Sequence, residues 1–148
     1  ANIMWAGMVA HNNLVGVGRV QDWASHGIEH ELSALYDVAH GAGLAVVLPA
    51  WMTYVMKHDI NRFAQIAVRV WGCDMNFANP EETAREGIER LKQFLKLIGM
   101  PTTFKELGAK EEDIPLMVEK LGLGETGTIG NFVPLTAKDV ENIYRLAL

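Results

Sequence analysis

Apolar residues recur at helical spacing along most of the chain, and the alternation typical of half-buried strands is almost absent. The clearest pattern predicts a helix from about Pro80 to Ile98. Asn79 is a favourable N-cap, Pro80 suits the first helical position, and Gly99 ends the pattern. The apolar residues of this segment lie three or four positions apart and form one stripe, namely Ala84, Ile88, Leu91, Leu95 and Ile98.

Helix signals recur in four shorter segments, with approximate ranges 59–71, 103–108, 111–121 and 136–147. Thr136 and Asp139 have the spacing of a capping box at the start of the last of these helices. An inward face is predicted for the first of them, comprising Phe63, Ile66, Ala67 and Val70. The Gly-rich residues 121–136 lack the features of a phosphate-binding loop and are predicted to be an ordinary connection.

The longest apolar stretch runs from Gly41 to Met56 and contains Pro49. It is shorter than the roughly 20 residues that a helix needs to cross a bilayer. No basic region precedes it, so it does not resemble a signal peptide either. We therefore predict a helix that is buried on nearly all sides by other helices. The predicted fold class is all-α, a helical bundle around this central helix, with residues 1–148 forming one domain.

The beginning of the chain is apolar at helical spacing and has no capping residue ahead of it. The apolar positions are Ile3, Met4, Trp5, Met8 and Val9. We expect a chain that starts in this way to be a fragment of a longer protein. A processed small protein is the alternative.

Composition and charge exclude several classes of function. The net charge is −5 and no Lys/Arg cluster is present, which argues against a nucleic-acid partner. No stretch suits a membrane span, so a membrane partner is not expected either. The single cysteine, Cys73, cannot form an internal disulfide, and we predict a cytoplasmic location. Cys73 itself is expected to be a small core residue at a helix end.

Three of the five histidines lie close together in the sequence, at His26, His30 and His40. Neutral imidazole is a common ligand of late first-row metals. His26 and His30 are four residues apart and share a helix face. His26 and His40 would be separated by roughly 21 Å in an unbroken helix. Two ligands of one ion lie roughly 3–4 Å apart, so a shared ion requires the helix to break between them.

Asp37 suits the N-cap of the buried helix, which would place His40 at its third position. The positive end of that helix mildly repels a cation, so we expect a carboxylate elsewhere in the site. Spacing alone leaves two alternatives open. The histidines are ordinary core or surface residues, or His26 and His30 form the pair without His40.

Residues 22–55 closely resemble the signature of the iron-containing (group III) alcohol dehydrogenases, and most of all the NAD(P)H-dependent butanol dehydrogenase branch. The stretch reads DWASHGIEHELSALYDVAHGAGLAVVLPAWMTYV, in which H-x3-H-x9-H is followed by G-x-G-L-A. The flanking segments NIMWAGMVAHNNLVGVGR and FAQIAVRVWG also resemble this branch. The resemblance therefore covers nearly the whole chain.

The resemblance implies the C-terminal helical metal-binding domain of an enzyme whose α/β domain binds a nicotinamide cofactor. His26 and His40 match two ligands of a divalent ion, normally Fe²⁺ and in some members Zn²⁺. His30 matches a histidine close to nicotinamide and substrate, which makes it the candidate catalytic and cofactor-binding residue. The family's other two ligands, an Asp and a His, would precede Ala1. The implied activity is reversible hydride transfer between NAD(P)H and an aldehyde or primary alcohol, with the metal as Lewis acid.

Two ligands of four imply weak metal binding and no dehydrogenase turnover by residues 1–148 alone. A small alcohol or aldehyde is the implied partner, and a homodimer is common in the family. The alternative function is a stand-alone helical structural or interaction domain with a vestigial histidine cluster. An enzyme domain should leave an apolar or cleft-like surface near His26 and His40, whereas a stand-alone domain should cover it with polar residues.

Overall fold

The computed structural model describes residues 1–148, and it confirms the predicted all-α fold with a buried central helix. The eight α-helices are α1 Asn2–His11, α2 Ala24–Tyr36, α3 His40–Val55, α4 Ile60–Trp71, α5 Pro80–Leu97, α6 Phe104–Leu107, α7 Ile114–Lys120 and α8 Ala137–Arg145. Short 3-10 turns occupy Leu14–Gly16, Met56–His58 and Glu111–Asp113. There is no strand, only one isolated bridge between Ile129 and Leu135. None of the helices combines the length and apolar character that a membrane span requires.

Helix α3 lies at the centre of the domain and packs against α2, α5, α6 and α8. Half of its sixteen residues are buried, namely Gly43, Ala45, Val46, Val47, Pro49, Ala50, Met52 and Val55. Because these residues lie on most sides of the helix, α3 is apolar around its circumference, as expected of a helix that other helices surround. The helix continues through Pro49, and the hydroxyl of Thr53 donates a hydrogen bond to the Pro49 carbonyl at 2.8 Å.

Helices α4 and α5 pack closely against each other. The contact depends on Gly87, where an added Cβ would lie 2.8 Å from the Cα of Ala67. The predicted stripe of α5 is buried at Ala84 and Ile88, and it becomes exposed towards Ile98.

The inward face predicted for α4 is partly wrong. Phe63 and Ala67 are buried, but Val70 is 62% exposed and Ile66 is also exposed. Ala64 is buried in place of Ile66 and Val70. The reason is that α4 turns its small residues towards α5 where the two helices are closest. The orientation of the face thus depends on the partner helix.

Helix α8 closes the domain against α3 and α7. Its predicted capping box is present, with the Thr136 hydroxyl accepting from the Asp139 backbone and the Asp139 carboxylate accepting from the Thr136 backbone. Tyr144 is fully buried, and its hydroxyl donates a hydrogen bond to the carbonyl of Ile28 at 2.6 Å. This bond ties the middle of α2 to the C-terminal helix.

The chain reverses direction between α2 and α3, and the expectation that Asp37 caps α3 is wrong. Asp37 instead ends α2 in a left-handed conformation (φ 52°, ψ 38°), and its backbone N–H donates to the Ser33 carbonyl. Aspartate tolerates this conformation better than most residues because its short side chain bonds locally. The N-cap of α3 is Ala39, so His40 is the first residue of α3 and not the third.

Candidate metal centre

The reversal after α2 brings His26 and His40 together. Nδ1 of His26 lies 3.1 Å from Nε2 of His40, although the two residues are fourteen apart in the sequence. Nitrogens that bind one ion at about 2.0–2.1 Å lie roughly 2.9–3.4 Å apart in octahedral or tetrahedral sites. The observed separation therefore fits a shared divalent ion, and it favours a pair that includes His40 over one formed by His26 and His30 alone.

The start of α2 is held in place by Asp22. One carboxylate oxygen accepts from the Ala24 backbone at 2.7 Å, and the other accepts from the backbones of Asn131 and Phe132 at 2.9 and 2.6 Å. The Gly-rich loop can approach α2 closely because residue 27 is glycine, where an added Cβ would lie 2.5 Å from Ile129. The first turn of α2, which carries His26, is thereby fixed to the loop before α8.

His30 lies one helical turn after His26 and is exposed. The ring centroid of His30 is 5.2 Å from that of His40. The ring centroid of His26 is also 5.2 Å from that of His40. All three predicted site histidines therefore converge at one end of the α2–α3 pair. The structure does not test which of them bind a metal, so their roles remain predictions.

Glu29 is the site residue that the sequence analysis missed, although a carboxylate was expected. Its side chain is completely buried between α2 and α3, and its Oε2 hydrogen-bonds Nδ1 of His40. The Ser33 hydroxyl donates to Oε1 of the same carboxylate. A signal was present in the sequence, because Glu29 lies directly beside Ile28 on the buried stripe of α2 and has a polar residue four positions later.

A second grouping of possible ligands overlaps the first. Ligand atoms of Glu29, His30 and His40 all lie within 4.8 Å of one another. The Glu29 carboxylate, however, contacts Nδ1 of His40, whereas His26 contacts the opposite nitrogen, Nε2. Glu29 has no exposed surface, whereas the His40 side chain is 44% exposed. The pair of His26 and His40 is therefore the better candidate for direct ligation.

The electrostatics of the cluster favour a neutral ligand at His26. Burial lowers the pKa of His26, and the neighbouring imidazoles of His40 and His30 lower it further when they are charged. The nearby Glu29 carboxylate acts in the opposite direction and raises this pKa. Only the neutral imidazole offers a lone pair to a metal. The lowered pKa of His26 favours this neutral form.

The other reactive residues lie outside this cluster. The ring of His58 packs edge-on against Phe132 at a centroid distance of 4.9 Å. Cys73 is buried just after the end of α4, as expected, and burial raises the pKa of its thiol. A thiol with a raised pKa is a poor nucleophile.

The family model described as the C-terminal part of Fe-containing alcohol dehydrogenases matches residues 1–148. The chain therefore belongs to the iron-containing alcohol dehydrogenase family, and the resemblance seen in residues 22–55 is confirmed.

The relatives also support the butanol dehydrogenase branch. NADH-dependent butanol dehydrogenase A of Clostridium acetobutylicum is 38% identical over 98% of this chain and 37% of its own length. The NADPH-dependent aldehyde reductase YqhD of Escherichia coli is 34% identical over 99% of this chain and 38% of its own length. The crystal structure of NADH-dependent butanol dehydrogenase A from Thermotoga maritima superposes with a TM-score of 0.91 at 40% identity, covering 99% of this chain and 38% of that one. The chain thus spans a little over a third of the length of these relatives.

Proposed function

We propose that residues 1–148 are the metal-binding part of an NAD(P)H-dependent alcohol dehydrogenase that interconverts aldehydes and primary alcohols. The observation that carries this proposal is the 3.1 Å separation between Nδ1 of His26 and Nε2 of His40. A divalent ion held there, Fe²⁺ or alternatively Zn²⁺, would supply Lewis acidity towards the alcohol or aldehyde oxygen, and a nicotinamide would supply the hydride chemistry.

Each of the three clustered histidines has its own role in this proposal. His26 and His40 hold the ion with neutral imidazoles. His30 is exposed beside them, where it orients substrate or cofactor or relays a proton. Two imidazoles fill only half of a four-coordinate sphere and add no negative charge, so we expect weak metal binding and no turnover by residues 1–148 alone.

The surface around the histidines supports the enzyme over a stand-alone interaction domain. Trp23 is 58% exposed, and its ring packs edge-on against His26 at a centroid distance of 5.0 Å. Leu14 and Val20, in the segment that leads to Trp23, are also exposed apolar residues. A self-sufficient domain would cover such a surface with polar side chains. A further part of the proposal is that the complete enzyme is a cytoplasmic homodimer.

Zn²⁺ titration followed by calorimetry tests the ligand assignment, since Zn²⁺ takes the same imidazole ligands without redox chemistry. We expect His26→Ala and His40→Ala each to weaken Zn²⁺ binding by at least about tenfold. His58→Ala is the matched control and should leave the affinity within about twofold of the parent, because His58 lies outside the cluster. If His30→Ala weakened binding while His26→Ala did not, Glu29, His30 and His40 would be the ligands and the assignment would be wrong.

A further inference from the structure

The Glu29 side chain has no exposed surface, and burying a carboxylate away from water costs free energy unless it is well paired. Both of its oxygens have partners, which are Nδ1 of His40 and the hydroxyl of Ser33. With Glu29 as a carboxylate, which only accepts hydrogen bonds, the geometry assigns the proton of this pair to Nδ1 of His40. The lone pair of the His40 imidazole is then on Nε2, the nitrogen that faces His26.

The fold makes room for this carboxylate. An added Cβ at residue 43 would lie 2.7 Å from both Cγ and Cδ of Glu29, so any larger residue at this position of α3 would displace the Glu29 side chain. Gly41, two residues earlier on the same helix, has open space where its Cβ would lie. The position of the Glu29 side chain therefore explains the glycine at position 43. Gly41 is the matched control position, because an added Cβ there meets no other atom.

The position of Glu29 also suits its charge. The carboxylate lies beside the first turn of α3, which begins at His40, and the positive end of the helix dipole stabilises an anion there. The same negative charge offsets the repulsion between that helix end and a bound cation. His40 has no other hydrogen-bond partner than Glu29 and His26, so the orientation of its exposed ring depends on Glu29.

We propose that Glu29 is a positioning residue for the metal centre: its carboxylate holds Nδ1–H of His40 and thereby presents Nε2 towards the ion, while Ser33 and Gly43 fix the carboxylate. This inference rests on the proposed metal ligation by His26 and His40. Carboxylates behind histidine ligands set the tautomer of the ring and strengthen it as a donor. Glu29 acts through His40 and does not itself contact the ion.

Two measurements on Glu29→Gln test this role. Zn²⁺ affinity should fall roughly 10–100-fold. In the metal-free chain at a pH where imidazole is neutral, the ¹⁵N chemical shifts of His40 should show the Nδ1–H tautomer in the parent and a loss of that preference in the variant. Glu31→Gln removes a carboxylate from the same helix without touching His40 and should change neither measurement. A purely structural role would lower stability and leave the His40 tautomer as it is.

The matched glycines give an independent test. Gly43→Ala should displace the Glu29 carboxylate and weaken Zn²⁺ binding in the same direction, whereas Gly41→Ala should leave it unchanged. Ser33→Ala removes only one hydrogen bond of Glu29, so it serves if the other variants do not fold, and a smaller loss of affinity is expected from it.

The outcomes separate this inference from the function on which it rests. If His40→Ala abolishes Zn²⁺ binding and Glu29→Gln leaves it unchanged, Glu29 has no positioning role and the ligand assignment stands. If His40→Ala has no effect, the metal site itself is wrong and the role of Glu29 is lost with it. A metal-bound crystal structure with a Glu29 oxygen at about 2.0–2.2 Å from the ion would make Glu29 a ligand and overturn the inference.

Discussion

Asp139 joins two parts of the fold through one carboxylate. Its Oδ2 accepts from the backbone N–H of Thr136 at 2.8 Å and completes the capping box of α8. Its Oδ1 accepts from the hydroxyl of Tyr54 in α3 at 2.5 Å. The carboxylate therefore begins α8 and also connects that helix to the central helix.

The pKa of Asp139 makes its contribution to stability dependent on pH. Burial acts to raise this pKa, but the hydrogen bonds from Thr136 and Tyr54 together lower it below its usual value. A carboxyl whose pKa is lower in the folded state stabilises the fold above its unfolded pKa of about 4, and this stabilisation is lost as the pH falls through the folded pKa.

We predict that Asp139→Asn lowers the free energy of unfolding by about 1 kcal/mol at pH 7. The difference between parent and variant should shrink as the pH falls below about 4, because the parent then loses the same charge. Urea unfolding at pH 7, 5 and 3 measures both values. Asp74→Asn is the control at pH 7 and should stay within about 0.5 kcal/mol of the parent, because its carboxylate is exposed. A difference that is constant over this pH range would contradict the role of the charge.

At the scale of residues, the sequence indicated the histidines but not their support. The spacing of His26 and His40 required a helix break if they share an ion, and that break is present. Glu29 was missed because a glutamate next to a histidine in the sequence is typical of an exposed helix face. Only the packing of α3 against α2 shows that its side chain is buried. The role of Asp37 was assigned to the wrong helix, because aspartate suits both an N-cap and a left-handed helix end.

At the scale of elements, α4 and α5 approach each other through small residues. Gly87 in α5 faces Ala67 in α4 so closely that a Cβ at position 87 would collide with the backbone of α4. A backbone atom cannot move aside as the end of a flexible side chain can. The spacing of the two helices is therefore set by this glycine.

We predict that Gly87→Ala destabilises the domain by roughly 1–3 kcal/mol through overpacking. The effect should exceed the gain of up to about 1 kcal/mol that alanine brings to a helix interior. Gly41→Ala introduces the same methyl group on α3 where space is open, so it should be neutral or slightly stabilising. Thermal and urea unfolding of both variants measure the difference. Equal stability of the two variants would show that α4 and α5 can separate without cost.

Helix existence and ends were easier to predict than helix faces. The segment predicted at 80–98 forms α5 at Pro80–Leu97, because its proline and its C-terminal glycine act locally. The face of α4 was partly wrong at Val70, because apolar spacing does not show which partner a helix meets. Local signals therefore predicted both ends of α5, whereas the signal at Asp37 belonged to the end of α2, and the inward face of a helix is settled by tertiary packing.

At the scale of the whole molecule, α1 differs from the rest of the domain. The sequence predicted an apolar helix there, and α1 forms, but none of its residues is buried. Ile3, Met4 and Trp5 are all strongly exposed. Sequence reasoning could identify the helix and could not show that it lies outside the core, because an apolar helix is usually buried.

The first firm attachment of the N-terminal segment to the core is at residues 21 and 22. The Gln21 carbonyl accepts from the side chain of Asn131, and Asp22 accepts from three backbone N–H groups. Before this point, α1 packs mainly against the turn at Leu14–Gly16. The core of the domain and the candidate metal centre thus begin at about residue 21.

We predict that removal of residues 1–19 leaves the unfolding temperature within about 2 °C of the parent, because no buried apolar area is lost. Asp22→Ala is the contrasting variant, since it leaves the backbone N–H groups of Asn131 and Phe132 without their acceptor. It should lower the unfolding temperature by roughly 3–10 °C, as expected for a loss of about 1–3 kcal/mol. Differential scanning calorimetry compares the two variants with the parent. A large drop on truncation would mean that α1 stabilises the core through contacts that its exposed surface does not reveal.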